Sequence, residues 1–372
     1  MPNLRVTTNQ GIEDVAAREV ACLLSEAGIP HGEVTEKPDG HQGVVQVELA
    51  GADVGTEMRN RLAAALSRAR STYHLVIHTG ELTWSGQSVD VLAQEIAAQP
   101  LPAMASAESF RVTCSRVGEH PFHSPDVERA VGRELQLRYV TAVDLEHYDV
   151  NIRIDIDGAS CQCGYQLTGK KGLDRRYIWR YHPRVTLRTT VAYAMLEIAG
   201  FAAVPGALHD PFCGSGTILL EAAALARQAA ALARAPSVAV PVSGSDRSAS
   251  AVAGCCDNLW ANGAKAVTVE QMDAREMAHH LEPATLGYIV TNPPYGIRMG
   301  QNADFGELYR SFLEQAAGVL RPGGVLALLV GRRRGRFNKV LQSTEEFALE
   351  HVRIIEIGGV YPGLFVLRRR EV

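Results

Sequence analysis

The sequence lacks a long hydrophobic run: no stretch approaches the ~18 uncharged apolar residues that a membrane-spanning helix requires. Its first residues, MPNLRVTTNQ, also lack a basic leader followed by an apolar core. These two absences lead us to expect a cytoplasmic protein without a membrane partner. The 372 residues predict two or three domains, at roughly 150 residues per domain.

The sequence also lacks an excess of positive charge. Its 37 Lys and Arg residues against 41 Asp and Glu residues give a formal net charge of −4. A polycation that coats nucleic acid nonspecifically is therefore excluded. Any affinity for nucleic acid must come from local basic patches.

Cysteine is scarce, and its spacing does not suggest a metal site. The seven cysteines include no Cys-x-x-Cys pair and mostly lie in apolar runs. Cys161 and Cys163 would share one face of a strand, but two sulfurs without a further Cys or His nearby make a poor zinc site. We expect cysteines that pack as small apolar side chains, and no metal.

The first 166 residues alternate strand and helix patterns in the manner of small α+β domains. Asp157-Gly158 stands between two alternating runs and predicts a β-hairpin. The patterns predict strands at 4–8, 44–49, 73–82, 109–117, 148–157 and 160–167, and helices at 11–27, 56–70, 89–98 and 125–139.

Two basic patches stand out in this acidic protein. In the stretch 166–190 the aromatic residues Tyr177, Trp179 and Tyr181 are interleaved with basic ones, a mixture that suits single-stranded or irregular RNA. A linker with solvated arginines and anchored aromatics explains the stretch equally well. The second patch is the stretch 331–339, GRRRGRFNK. The basic candidates for RNA binding are Lys170, Lys171, Arg175, Arg176 and Arg180 of the first patch, together with Arg332, Arg333 and Arg334 of the second.

The second half of the chain alternates strands and helices regularly. Apolar strands end near Asp210, Asp246, Asp273, Thr291 and Val330, and helices begin near Thr217, Ser248, Ala274 and Asp304. Strands this uniformly apolar suit a parallel sheet covered on both faces. Residues 352–357 and 364–369 predict a closing antiparallel pair of strands.

The segment His209-Asp-Pro-Phe-Cys-Gly-Ser-Gly-Thr217 joins a strand to a helix. Gly214 and Gly216 permit a tight turn that a ligand can approach, and the helix N-terminus offers unpaired amides. Ile218 and Leu219 stand where a dinucleotide fingerprint would need its third glycine. A nicotinamide oxidoreductase is therefore disfavoured.

Acidic residues follow neighbouring strands of the predicted sheet. Asp246 can bond both hydroxyls of a ribose, and Asp273 can accept from an adenine amino group. Each acid alone is more often a helix cap than a ligand contact. Together with Asp210 they lie at strand ends that converge on one crevice.

The fourth strand of this half ends in Thr291-Asn292-Pro293-Pro294-Tyr295. The prolines fix the backbone, so that the Asn292 amide oxygen and the Pro293 carbonyl can both accept from one exocyclic amine, while Tyr295 stacks on a planar ring. The amine lone pair would then face an electrophile. A Pro-Pro loop with a surface tyrosine is the alternative, and it is hard to sustain beside the three acids.

These motifs resemble known families. Asp-Pro-Phe-Cys-Gly-Ser-Gly-Thr with Asn-Pro-Pro-Tyr is similar to class I S-adenosylmethionine-dependent methyltransferases that methylate amino groups. Residues 110–118 (FRVTCSRVG), 120–124 (HPFHS) and 143–150 (VDLEHYDV) resemble a THUMP domain, an RNA-binding module. Nearly the whole chain resembles the TrmN type of tRNA guanine-N2 methyltransferase, which modifies guanosine 6 of the acceptor stem.

The resemblance implies a domain order and a set of site residues. It implies a ferredoxin-like domain over 1–70, a THUMP domain over 71–166, a basic linker over 167–185 and a Rossmann-like methyltransferase domain over 186–372. The catalytic residues would be Asn292, Pro293, Pro294 and Tyr295. S-adenosylmethionine would be held by Thr190, Asp210, Pro211, Gly214, Gly216, Thr217, Asp246, Asp273, Ala274 and Asn292.

Three other functions compete with methylation of tRNA guanine. Methylation of guanine in ribosomal RNA would need the same domains. An adenine-N6 or glutamine-N5 methyltransferase would share Asn-Pro-Pro-Tyr but lack the THUMP-like segment. A nonenzymatic RNA-binding protein is disfavoured, because the glycines, acids and Asn292 form a complete set. We expect a monomer that binds tRNA.

Overall fold

The computed structural model describes residues 3–49, 55–169, 171–204, 206–232, 240–294, 305–331 and 334–371. The chain divides into two compact units. The first contains residues 1–8 and 16–173, and the second contains residues 9–15 and 174–372.

The first unit is built on one eight-stranded sheet. Its elements are β1 Asn3–Thr8, α1 Glu13–Glu26, β2 His31–Glu36, β3 Val44–Leu49, α2 Thr56–Leu66, β4 Thr72–Thr83, α3 Val89–Ala98, β5 Ser109–Val117, α4 Ser124–Tyr139, β6 Ala142–Val143, β7 Val150–Asp157 and β8 Ser160–Gln166. The first three residues of α1 belong to the second unit. The strand order is β2-β3-β1-β4-β8-β7-β5-β6. The predicted hairpin is confirmed, since β7 and β8 pair antiparallel around Gly158, whose φ is +54°.

Each half of this sheet has its own apolar core. Helices α1 and α2 cover β1, β3 and β4, whereas α3 and α4 cover β5, β7 and β8. The two halves are joined in one sheet, because β4 pairs with both β1 and β8. The α+β prediction is confirmed, and we retain the boundary between residues 70 and 71 as a proposal that these separate cores support.

The second unit contains a seven-stranded sheet. Its elements are α5 Thr189–Ile198, β9 Leu208–Asp210, α6 Thr217–Leu232, β10 Val242–Asp246, α7 Ala249–Ala261, β11 Thr268–Gln271, α8 Met277–His280, β12 Leu286–Thr291, α9 Phe305–Val319, β13 Leu320–Val330, α10 Arg334–Gln342, β14 Phe347–Ile354 and β15 Gly363–Arg369. The strand order is β11-β10-β9-β12-β13-β15-β14. Strands β9 to β13 run parallel, and β15 pairs antiparallel with both β13 and β14. The predicted Rossmann-like sheet with an antiparallel C-terminal pair is confirmed.

The sheet is buried on both faces, as its apolar strands predict. Along β13, Val325, Ala327 and Leu329 enter one core with α5, α6 and α7, while the alternate residues enter a second core with α8, α9 and α10. Strand β10 lies on one side of β9, and β12 lies on the other side. The strand order therefore reverses between β9 and β12, which makes these two strands the switch point of the sheet. Ligands of such sheets bind beside the carboxyl ends of the strands at this point.

Several predicted bounds were wrong. Asp273 lies two residues after the end of β11, and α8 begins at Met277 rather than near Ala274. Strand β14 begins at Phe347, five residues earlier than predicted, and ends at Ile354. No helix within the described ranges is long and apolar enough to cross a bilayer.

Candidate active site

The glycine loop, residues 211–216, connects β9 to α6 at the switch point. Gly214 and Gly216 have φ angles of +52° and +85°, a region that favours glycine. A Cβ atom on Gly216 would lie 2.7 Å from the Cys255 sulfur. The backbone conformation and the close packing therefore both require glycine here.

Asp246, at the end of β10, is hydrogen-bonded to the glycine loop. Its Oδ2 accepts from the Gly214 amide at 3.2 Å, and its Oδ1 accepts from the Ser248 amide at 2.9 Å. Ser248 in turn caps α7. The carboxylate is half-buried beside the loop, so two predicted site residues, Gly214 and Asp246, are brought together.

Asp210, at the end of β9, is buried. Its Oδ1 accepts from the Thr291 hydroxyl at 2.6 Å and from the Phe212 amide at 3.1 Å. Burial raises the pKa of Asp210 to about 7, because removing the carboxylate from water disfavours its charged form. The bond to Thr291 joins the glycine loop to the segment that contains Asn292.

Asn292 follows β12 directly, and its amide oxygen is buried. Within the described residues this oxygen meets no hydrogen-bond donor. A buried acceptor without a partner costs about 1–3 kcal/mol. Pro293 beside it is buried and Pro294 is half-buried, and the two proline rings restrict the backbone that follows this side chain.

Asp273 has a different local environment. Its carboxylate accepts from the Arg275 guanidinium at 2.6 and 3.0 Å and from the Arg275 amide at 3.0 Å. The Arg275 side chain holds the pKa of Asp273 below its usual value. The neighbouring Met272 amide donates to the Asp246 carbonyl at 3.1 Å, which connects this segment to the end of β10.

Thr190 lies buried in α5, and its hydroxyl donates to the Asn9 side-chain oxygen at 2.6 Å. Asn9 also donates to the Glu356 carbonyl at 2.9 Å. Pro211, Thr217 and Ala274 are buried as well. The roles that the resemblance implies for these four residues remain predictions.

The basic candidates differ in exposure. Lys171, Arg175 and Arg180 are exposed, whereas Arg176 is largely buried and lies 3.4 Å from the buried Glu221 carboxylate. Arg334 begins α10 and is half-buried. Four predicted residues lie outside the described residues: Lys170, Tyr295, Arg332 and Arg333.

Sequence reasoning missed His209, a buried residue of β9. Its ring nitrogens lie 2.9 Å from the Ser243 hydroxyl and 3.0 Å from the Ser245 hydroxyl. Ser243 also lies within donating distance of the Leu208 carbonyl, so Nδ1 of His209 carries the proton and Nε2 accepts from Ser245. Burial lowers the pKa of His209 to about 4, and the ring is therefore neutral near pH 7. The signal available in the sequence was the alternation of Ser243 and Ser245 along β10, which places two hydroxyls on one side of the strand next to β9.

Asn258 and Asn262 of the α7 region were also missed. Their side chains bond to backbone groups of residues 178–181. No side-chain pattern in the sequence marks such a contact. Among the described residues, no group of three His, Cys, Asp or Glu side chains could hold a metal ion.

Comparison with known proteins supports the fold and the family. Residues 176–362 match the RMKL-like methyltransferase domain, and residues 87–162 match the THUMP domain. The chain is 35% identical to a tRNA (guanine(6)-N2)-methyltransferase of Thermus thermophilus over 98% of its own length and 99% of the relative. It is 27% identical to the enzyme of the same name from Archaeoglobus fulgidus, over 97% and 90% of the two chains.

A solved structure agrees with these matches. The crystal structure of TrmN from Thermus thermophilus superimposes with a TM-score of 0.74 at 33% identity, and the match covers 99% of this chain and all of that one. The fold, the two matched domains and this full-length similarity lead to one conclusion: the chain belongs to the RMKL-like methyltransferases that carry a THUMP domain.

Proposed function

We propose that this protein transfers a methyl group from S-adenosylmethionine to the exocyclic N2 of guanosine 6 in the acceptor stem of tRNA. The observation that carries the proposal is the buried amide oxygen of Asn292, for which the described residues provide no donor, at the switch point of a methyltransferase sheet. An exocyclic amine supplies the donor that this oxygen needs. The full-length similarity to tRNA (guanine(6)-N2)-methyltransferases supports guanine N2 of tRNA as the target.

The residues of the crevice fit S-adenosylmethionine. A Cβ atom on Gly214 would meet nothing closer than the Phe212 carbonyl at 3.9 Å among the described residues, which leaves room beside the loop for the methionine end, while Gly216 packs against Cys255. Asp246 carries the carboxylate that would bond the ribose, and Asp273 with Ala274 lies where the adenine would be held. Asp210, Pro211, Thr217 and Thr190 complete the proposed cofactor set. When bound, the cofactor supplies an electrophilic methyl group on a sulfonium.

The proposed catalysis consists of positioning. Guanine N2 is a weak nucleophile, because its lone pair is delocalised into the ring. The Asn292 oxygen and the Pro293 carbonyl would accept hydrogen bonds from the two N–H groups of this amine and thereby aim its lone pair at the methyl group. As the new nitrogen–carbon bond forms, the methyl–sulfur bond would break, and one of the two amine protons would be released to water. Tyr295 would stack on the guanine, and Pro294 would hold the backbone. The neutral His209 is occupied by two serines and contributes no proton transfer.

A base inside an acceptor stem must leave its stack, at a cost of a few kcal/mol. In the proposal, stacking on Tyr295 and contacts of basic residues with stem phosphates offset this cost. The basic residues proposed for the stem are Lys170, Lys171, Arg175 and Arg180, with Arg332, Arg333 and Arg334; Arg176 is left out, because its guanidinium is largely buried beside the Glu221 carboxylate. The THUMP domain, proposed over 71–166, would select the RNA. A tRNA substrate also supports a cytoplasmic location, and we propose a monomer.

The proposed function is tested by methylation of an unmodified tRNA transcript with labelled S-adenosylmethionine, followed by nucleoside analysis. We expect N2-methylguanosine in a transcript with guanosine at position 6, and none when an adenosine replaces it together with a compensating change in its pairing partner. Ribosomal RNA in a parallel reaction tests the main alternative. Label in ribosomal RNA alone, or label as N6-methyladenosine, would overturn the proposal.

A further inference from the structure

One face of α7 meets the backbone of residues 178–181, a stretch called here the anchored segment. Gly254, Asn258 and Asn262 stand at intervals of four residues and therefore line one side of the helix and its end. At Gly254 the two elements are in close contact, since a Cβ atom there would lie 2.1 Å from Cγ of Tyr181. The anchored segment belongs to the larger basic stretch that the sequence marks for RNA.

Asn258 bonds to two elements at once. Its Oδ1 accepts from the Arg180 amide at 2.8 Å and from the Tyr181 amide at 2.9 Å. Its Nδ2 donates to the Tyr181 carbonyl at 2.8 Å and to the Ser215 carbonyl at 3.0 Å. Ser215 lies between the two glycines of the glycine loop. This buried carboxamide thus uses both donors and both acceptor positions, and it connects the glycine loop to the anchored segment.

Asn262 provides a natural comparison. Its Oδ1 accepts from the Ile178 amide at 2.9 Å, and its Nδ2 donates to the carbonyls of Ile178 and Asn258, each at 2.8 Å. None of these bonds reaches the glycine loop. Two asparagines one turn apart therefore hold the same segment, but in the described structure only Asn258 also holds the loop.

We propose that Asn258 is a positioning residue that couples cofactor binding at the glycine loop to RNA binding at the anchored segment. A buried amide is costly to leave unpaired, so a shift of the Ser215 carbonyl shifts Asn258 and, with it, the amides of Arg180 and Tyr181. Coupling of this kind is reciprocal: RNA on the segment favours the bound arrangement of the loop. The identity of the two ligands rests on the proposed function.

The first test needs no RNA. Hydrogen–deuterium exchange of a peptide that covers residues 177–182 is measured with and without S-adenosylhomocysteine, in the wild type, Asn258→Asp and Asn262→Asp. Aspartate keeps the shape and the acceptors but loses both donors. We expect S-adenosylhomocysteine to slow exchange in the wild type and in Asn262→Asp, and to have no effect on this peptide in Asn258→Asp.

The second test measures the coupling itself. In the wild type and in Asn262→Asp, tRNA transcript should tighten S-adenosylhomocysteine binding by about fivefold or more, and in Asn258→Asp by less than about twofold. If Asn258→Asp does not fold, Asn258→Ser, whose hydroxyl is too short to reach both partners, replaces it.

Each outcome has one meaning for the proposal. The coupling role is overturned if S-adenosylhomocysteine does not change the exchange rate of this peptide in the wild type. It is also overturned if both asparagine variants lose the coupling equally. If S-adenosylhomocysteine slows exchange as expected but tRNA is not methylated, the proposed function fails while the link from loop to segment stands.

Discussion

The Thr291 hydroxyl donates a 2.6 Å hydrogen bond to the Asp210 carboxylate, and this bond joins the carboxyl ends of β12 and β9. Asp210 directly precedes the glycine loop, and Thr291 directly precedes Asn292. Both side chains are buried. The bond therefore fixes the distance between the groups proposed to hold the cofactor and the group proposed to hold the target amine.

Stability should depend on pH through Asp210. Its pKa in the folded protein is about 7, whereas the pKa of an exposed Asp is ~3.9. Between these pH values the folded state binds more protons than the unfolded state, so the contribution of Asp210 to the free energy of unfolding falls as the pH rises through this window. Above about pH 7, the contribution of protonated Asp210 to the free energy of unfolding is lost completely.

The Asp210→Asn variant tests this dependence, because its side chain does not titrate. Thermal unfolding of both proteins is measured from pH 4 to pH 8. The melting temperature of the variant minus that of the wild type should increase between about pH 4 and pH 7 and then level off. A constant difference over the whole range would contradict the raised pKa.

Asn292→Ala should keep cofactor affinity and lose most turnover. The substitution removes the acceptor for the target amine, whose positive charge develops during methyl transfer, and leaves the glycine loop and Asp246 intact. Loss of one preorganised polar group at a developing charge lowers the rate by on the order of 100-fold. Single-turnover methylation of tRNA measures the rate, and calorimetry with S-adenosylhomocysteine is the control. An unchanged single-turnover rate would remove Asn292 from the reaction.

Asp246→Ala should weaken cofactor binding, in contrast to Asn292→Ala, which should keep cofactor affinity and lose turnover. Two ribose hydrogen bonds at roughly 0.5–1.5 kcal/mol each correspond to a Kd increase of about 5- to 150-fold. The variant also frees the Gly214 amide, so Asp246→Asn, which keeps an acceptor for that amide, is the matched control and should be less affected. Wild-type affinity of Asp246→Ala in calorimetry would place the ribose elsewhere.

The sequence was most informative where local patterns decide the structure. The hydrophobic runs predict the strands of the parallel sheet, because β13 is buried on both faces and leaves no polar alternation to misread. The glycines of the loop predict its conformation, because positive φ angles need them. By contrast, β2 was missed, since it is an edge strand whose side chains are exposed or half-buried and so show no apolar alternation.

The missing parts of the site depend on contacts between distant backbone groups. Asn258 contacts residues 77 and 78 positions away in sequence, and its partners are main-chain atoms whose position no residue type reveals. The bond between Asp210 and Thr291 spans 81 positions and was likewise not predicted. The sequence placed both residues at strand ends, but it could not show that one side chain meets the other.

The last prediction concerns how a protein with net negative charge binds RNA. Arg334 begins α10, whose Phe337 and Val340 are buried while Arg336 and Lys339 are exposed. This pattern keeps the basic side of the helix in water, where it can meet phosphates. We expect the triple variant Arg332→Ala, Arg333→Ala and Arg334→Ala to bind tRNA more weakly and to spare cofactor affinity.

The salt dependence of tRNA binding distinguishes phosphate contacts from a solvated basic surface. Each lost contact with a duplex phosphate should reduce the slope of log K against log salt concentration by about 0.9. Arg368→Ala is the control, because the charge of this exposed arginine is already paired with Glu350; its slope should match that of the wild type. An arginine that is only solvated at the protein surface releases no counterions from RNA. An unchanged slope in the triple variant would therefore show that this patch serves solubility rather than binding of the tRNA stem.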